Sequence, residues 1–257
     1  MTILQDFLSL MAGVLAIFST TDRAAFFLVL AGGIGLAGLC WWACSVYSRL
    51  WNKMYRVTIL HHLMCGLAAL VTLPTVVVFV ALKHASTAAG HSVQVWEIEL
   101  AADRIWADET FKTAYDRVRT LGLEDFSTTP PPPAGHTIPA VNERSQIECA
   151  GAYAASAARH FNQRRPYLSK IASASAEIPR DVLRRDIRQH FETIGNSYPT
   201  GKAIALVGRE IRDGLGAKLP RVVKVIRIQL IVLFLLCQLV PFGLVGWAAH
   251  RNLKATT

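Results

Sequence analysis

The chain has 257 residues, is 52% hydrophobic with a mean hydropathy of +0.33, and carries a net charge of +9. Soluble domains are usually about 45–50% apolar with glycine counted, so this composition points to a membrane protein. The segment from His84 to Val223 holds 18 basic and 16 acidic residues, so most of the excess charge lies elsewhere, where it meets lipid headgroups; no basic stripe for nucleic-acid phosphates is visible, and no nucleic-acid partner is expected.

Taken in chain order, Thr2–Thr20 is a first, weaker apolar stretch that contains Asp6. It lacks the positive start of a cleavable signal peptide, and its length suits a short span or a helix lying in the interface. The interfacial or half-inserted reading is preferred. Three stronger runs follow, Ala24–Tyr47, Val57–Leu82 and Ile228–Ala249, each 22 to 26 residues long and free of Asp, Glu, Lys and Arg. At about 1.5 Å per residue each reaches across a hydrocarbon core about 30 Å thick. A helix pairs its own amides there, so the runs are expected as membrane helices.

Between the second and third runs the signals are helical. Trp96, Ile98, Ile105, Trp106, Tyr115 and Val118, with charged residues between them, predict one amphipathic helix over Val95–Leu121. Ser127–Pro139, with four consecutive prolines, predicts an extended spacer. Glu143–Asn162 is alanine-rich and helical, and the Pro166 region interrupts the chain. Pro179 opens a helix to about Ile194, closed by Gly195. A last helix, Gly201–Leu219, is interrupted by Gly214, Gly216 and Pro220 and feeds towards the third span. The expected fold is thus all-α, with three transmembrane helices, an N-terminal interfacial element and a small extramembrane helical bundle. The parts are residues 1–23, a membrane hairpin at 24–82, the domain at 83–223 with its spacer at 127–139, and a span with a short tail at 224–257.

Flanking charge sets the expected orientation. Arg49, Lys53 and Arg56 in the first loop, and Arg251 and Lys254 in the tail, have no acidic neighbour and belong in the cytoplasm. The domain then lies outside, in a bacterial inner membrane. Lys218, Arg221, Lys224 and Arg227, three apart, argue the other way, but long domains translocate largely regardless of charge. These four are expected to meet anionic lipid or an acidic partner.

Inside the membrane, Cys40 and Cys44 share one face of the first span, and His61 and Cys65 share one face of the second. At matched depth the four form a candidate site for zinc or copper(I), with haem at a histidine a rarer variant. The bland reading is small apolar packing, and no cofactor is the leading expectation. Ala31, Gly35 and Gly38 form a small-residue face suited to a close helix contact, with another chain or with the second span. Gly195–Lys202 has the wrong spacing for a phosphate loop and lacks a following Ser or Thr. Ser156 and His160 lie one turn apart, but nothing supplies the third group or the oxyanion donors of a hydrolase. Cys149 is expected buried.

Three functions fit. The first is a non-enzymatic subunit of an envelope assembly, of the transport, secretion, conjugation or defence kind, whose partners are lipids and other membrane proteins or a second copy. The second is a membrane sensor with a helical ligand domain, and the third a membrane metal or redox protein.

Overall fold

The computed structural model of the chain describes residues 2–51, 58–120, 143–173, 180–193 and 200–256. Every regular element among them is helical: α1 (Ile3–Thr21), α2 (Arg23–Trp51), α3 (Ile59–Ala81), α4 (Ala85–Ala102), α5 (Arg104–Thr120), α6 (Glu143–Arg164), α7 (Pro166–Ala172), α8 (Arg180–Thr193) and α9 (Thr200–Thr256). A 3-10 turn, Leu82–His84, links α3 to α4. Four stretches are long and apolar enough to cross a membrane: Ile3–Thr21, Arg23–Leu50, Ile59–Ala102 and Gly201–Arg251. The fourth is α1, which the sequence sets apart as the weaker stretch.

The chain divides into two compact units. One takes in Met11–Ala85 and Pro220–Thr257. In it α2 packs along α3, and the approach is close at Gly33, where a Cβ would stand 2.8 Å from Leu73 Cδ1. Phe27, Leu28, Ile34 and Leu39 of α2, and Leu233, Leu236 and Leu239 of α9, are left exposed. In water so wide an apolar surface would aggregate; in lipid it is at rest.

The other unit comprises the chain up to Leu10 with Ser86–Leu219. Its core is built on α6, which packs against α5, α7 and α8. Ala150, Ala154, Ala157 and Ala158 of α6 are buried, and their small side chains admit large neighbours. The Trp96 and Phe161 rings meet edge to face at 5.0 Å, both shut off from solvent. From α9 the core receives Ala203, Val207, Ile211, Leu215 and Leu219, one residue per turn. Between these, Gly208 leaves room for Glu97, whose carboxylate pairs with Arg212 at 2.8 Å. A Cβ on Gly208 would lie 1.4 Å from Glu97 Oε1.

The single helix expected over Val95–Leu121 is two. Asp103 ends α4 and caps α5, its Oδ1 accepting the Trp106 N–H at 3.1 Å. The break changes the face that each half presents: Trp96 is buried, while Ile98 and Ile105 are 71% and 73% exposed. The Pro166 region does interrupt the helix, as expected: α6 ends at Arg164, and Pro166 takes the first position of α7, where its missing N–H has no helical partner to lose. The last domain helix and the third apolar run are one helix of 57 residues that carries Pro220 and Pro241 inside it. Leu215 and Leu219, buried just before Pro220, hold the helix where proline removes a hydrogen bond. The proline-rich spacer, Pro179 and Gly195 lie outside the described residues.

Candidate functional site

The four intramembrane candidates do not converge. Cys44 and Cys65 are buried together against Val245, with Phe242 packed over them. Cys40 is only half-buried, and His61 Nδ1 is hydrogen-bonded to the Thr58 hydroxyl at the start of α3. Among the described residues no group of three or more His, Cys, Asp or Glu side chains is placed to hold a metal ion. Matched depth on paired helices does bring two thiols together. It cannot rotate the outer two residues into the same gap.

The small-residue face of α2 behaves in the same divided way. Gly33, not one of the three candidates, takes the close contact with α3. Ala31, Gly35 and Gly38 are exposed, and a Cβ added at Gly35 or Gly38 would meet nothing within 4 Å. The face is smooth, apolar and uncovered.

Sequence reading missed the main polar contact of this unit. Gln238 of α9 is 9% exposed and Thr72 of α3 is fully buried. The Gln238 amide donates to Ala68 O and to Thr72 Oγ1, each at 3.0 Å. Thr72 in turn donates to Ala68 O at 3.2 Å. The triangle is closed, and both amide hydrogens are used. An amide in an apolar run signals that some partner exists; periodicity does not say on which helix.

The basic stripe is four residues with four situations. Lys218 donates to the Ser173 hydroxyl, and Ser173 itself ends α7 in the left-handed conformation, with φ of 51°. Arg221 and Lys224 are exposed. Arg227 lays its guanidinium over the Phe79 ring at 5.4 Å, and its Nε is buried without a hydrogen-bond partner.

In the other unit, Ser156 and His160 serve two indoles, the half-buried Trp106 and the buried Trp96. Trp106 Nε1 donates to Ser156 Oγ at 3.0 Å, and Thr110 shares that hydroxyl at 2.9 Å. Trp96 Nε1 donates to His160 Nδ1 at 3.0 Å. Burial, helped by nearby Arg164, lowers the imidazole's pKa and favours the neutral ring. Neither residue bonds to the other among the described residues; each is engaged by a tryptophan of this unit. Cys149 is buried as expected, and burial first, then Glu148, pushes its thiol up to about 12. Such a thiol carries almost no thiolate at neutral pH and is inert.

Asp6 is 1% exposed. Its Oδ2 accepts the backbone N–H of Tyr167 at 2.9 Å and of Leu168 at 3.3 Å, and Arg165 lies 3.6 Å from Oδ1. The carboxylate caps α7 from the far end of the chain, where the helix dipole favours an anion.

No family model, no curated protein and no solved structure matches the chain. The functional reading therefore rests on the residues and their geometry.

Proposed function

We propose that the chain is a non-enzymatic, membrane-anchored subunit of a multiprotein envelope assembly, of the transport, secretion, conjugation or defence kind. One observation carries this reading: the Ala31, Gly35 and Gly38 face of α2 is open, while Gly33 beside it is used within the chain. Bilayer helices associate through such faces because lipid gives no hydrophobic drive of its own. The polar groups that sequence would offer to catalysis are spent on packing, which supports the same reading.

In this proposal α2, α3 and α9 cross the bilayer and α1 does not. Asp6, in the first turns of α1, is bonded to α7 of the helical domain. At the other end Asp22 pairs at 2.6 Å with Lys83, where α3 leaves for α4. Beyond Leu10 only about eleven residues of α1 remain, about 16 Å, which is short of the core. The positive loops support a cytoplasmic tail and an extracytoplasmic domain, and the membrane in this proposal is a bacterial inner one.

The test is purification from native membranes in mild detergent, with total mass and co-eluting chains identified. A defined oligomer or reproducible partners is expected, and Gly35→Leu with Gly38→Leu should lower its recovery several-fold without loss of helicity. A monodisperse monomer that recruits nothing overturns the proposal.

A further inference from the structure

Charge is partitioned sharply between the two units. Up to Leu10 and over Ser86–Leu219 the sequence holds seventeen basic and seventeen acidic residues; the rest holds ten basic residues and one acid, so it carries the whole +9. That single acid, Asp22, is taken by Lys83 at 2.6 Å, with His84 Nε2 at 3.4 Å. Arg227 is therefore left with no carboxylate among the described residues, and its only described contact is the Phe79 ring. An arginine at the edge of an apolar helix needs an anion, and this unit has no acid to spare.

Phe79 also forms part of a groove of about 180 Å³ between α2, α3 and α9, lined by Leu36, Thr75, Val76, Phe79, Ile231 and Phe234. The Thr75 hydroxyl is turned away to Val71 O at 2.8 Å, which leaves the groove apolar. Ile231 is one turn from Arg227 on the same helix face. The guanidinium and the groove thus share the Phe79 ring, with a charged donor at one end and hydrocarbon walls along the other. Lys224, one turn or so further out and exposed, adds a second cation near the same end.

We infer that this groove, with Arg227 at its mouth, is a binding site for an anionic phospholipid, the phosphate on Arg227 and one acyl chain along Val76, Phe79 and Ile231. The inference rests on the reading that α2, α3 and α9 cross a membrane. It commits to a lipid, not a free anion, because phosphate alone leaves the apolar groove empty. A flat arginine fork fits a phosphodiester in two hydrogen bonds, and its stack on Phe79 holds the fork in place.

The experiment places the full chain in nanodiscs of equal phosphatidylglycerol and phosphatidylcholine, then extracts it into mild detergent and counts retained lipid by native mass spectrometry. One phosphatidylglycerol, in preference to phosphatidylcholine, is expected on the wild type. Arg227→Gln should lower that retention at least about fivefold, the effect of one basic residue at a lipid surface. Ile231→Trp, which fills the groove with the charge intact, should lower it similarly, and Lys112→Gln in the other unit should not. Should Arg227→Gln fail to fold, Arg227→Lys keeps the charge without the fork and should give a smaller loss. Retention as high as the wild type's in the Arg227 and Ile231 variants overturns the site, as does displacement of the lipid by millimolar inorganic phosphate. Release of the wild type from native membranes by an alkaline wash would instead overturn the membrane reading itself.

Discussion

Trp96 gives its indole N–H to Nδ1 of His160, and that bond decides where the imidazole keeps its proton. A ring that accepts at Nδ1 must carry its hydrogen on Nε2, and a second proton would arrive where the indole already points. The pKa is lowered from its ordinary value of 6.5, mainly by burial. Below about pH 6.5 the unfolded chain therefore binds a proton that the folded chain refuses, and stability falls as pH drops towards the folded value. Above that window His160 contributes nothing to the slope. His160→Gln offers an amide oxygen to the same indole, so its unfolding midpoint should vary less between pH 7.5 and 5.5 than that of the wild type. The difference should be about 1 kcal/mol or less, the net worth of the indole bond. Denaturant titrations at the two pH values measure it, and parallel curves would refute it.

Among the elements, α3 and α9 are joined by the Gln238 clamp more firmly than apolar contact alone would join them. Gln238→Leu should lower stability in detergent by about 0.6–1.7 kcal/mol, the span measured for hydrogen bonds between bilayer helices. Thr72→Val should cost less than Gln238→Leu, since Ala68 O still accepts from the amide, and the two losses should not add. Thermal unfolding of the two single variants and the double variant decides between a clamp and mere packing. The apolar runs made these two helices legible from sequence, because length and the absence of charge are properties of one segment. Their pairing was not legible, because it depends on which of several turns of α3 faces residue 238. The α4–α5 break shows a different failure. Asp103 is a good capping residue in plain view, but the amphipathic rhythm of Trp96, Ile105 and Trp106 ran straight through it. The opposite error occurred at Gly214, Gly216 and Pro220, which punctuate helices in water but are carried through within α9, where Leu215 and Leu219 are buried before the proline. Of the intramembrane candidates Cys44 and Cys65 meet, but shared depth did not say which of the four would do so. The rotation that excludes Cys40 and His61 is set by how α2 and α3 lean, which spacing does not encode.

On the scale of the whole molecule, α6 holds the centre of the helical domain and Asp6 fastens the start of the chain to it through α7. Asp6→Ala would leave the Tyr167 and Leu168 amides without their acceptor and Arg165 without its anion. A loss of about 1–3 kcal/mol is expected from the uncapped, buried groups. Asp6→Asn keeps an acceptor oxygen and should recover much of it. Protease susceptibility of the domain under native conditions reads the difference, and an unaltered Asp6→Ala digest would show that the cap is incidental. Charge separates at this scale as well: the neutral domain gives no pull towards an anionic surface, while the membrane unit brings the entire net charge to it.

The Asp6 cap also has a consequence in time. The carboxylate is synthesised 161 residues before its partner amide. Until then Asp6 has no site to enter, and α7, a single short helix, has no anion at its start. Closure of this contact thus waits on a segment made long after Asp6 itself. A lesion at Asp6 would first be felt in a helix made more than a hundred residues afterwards.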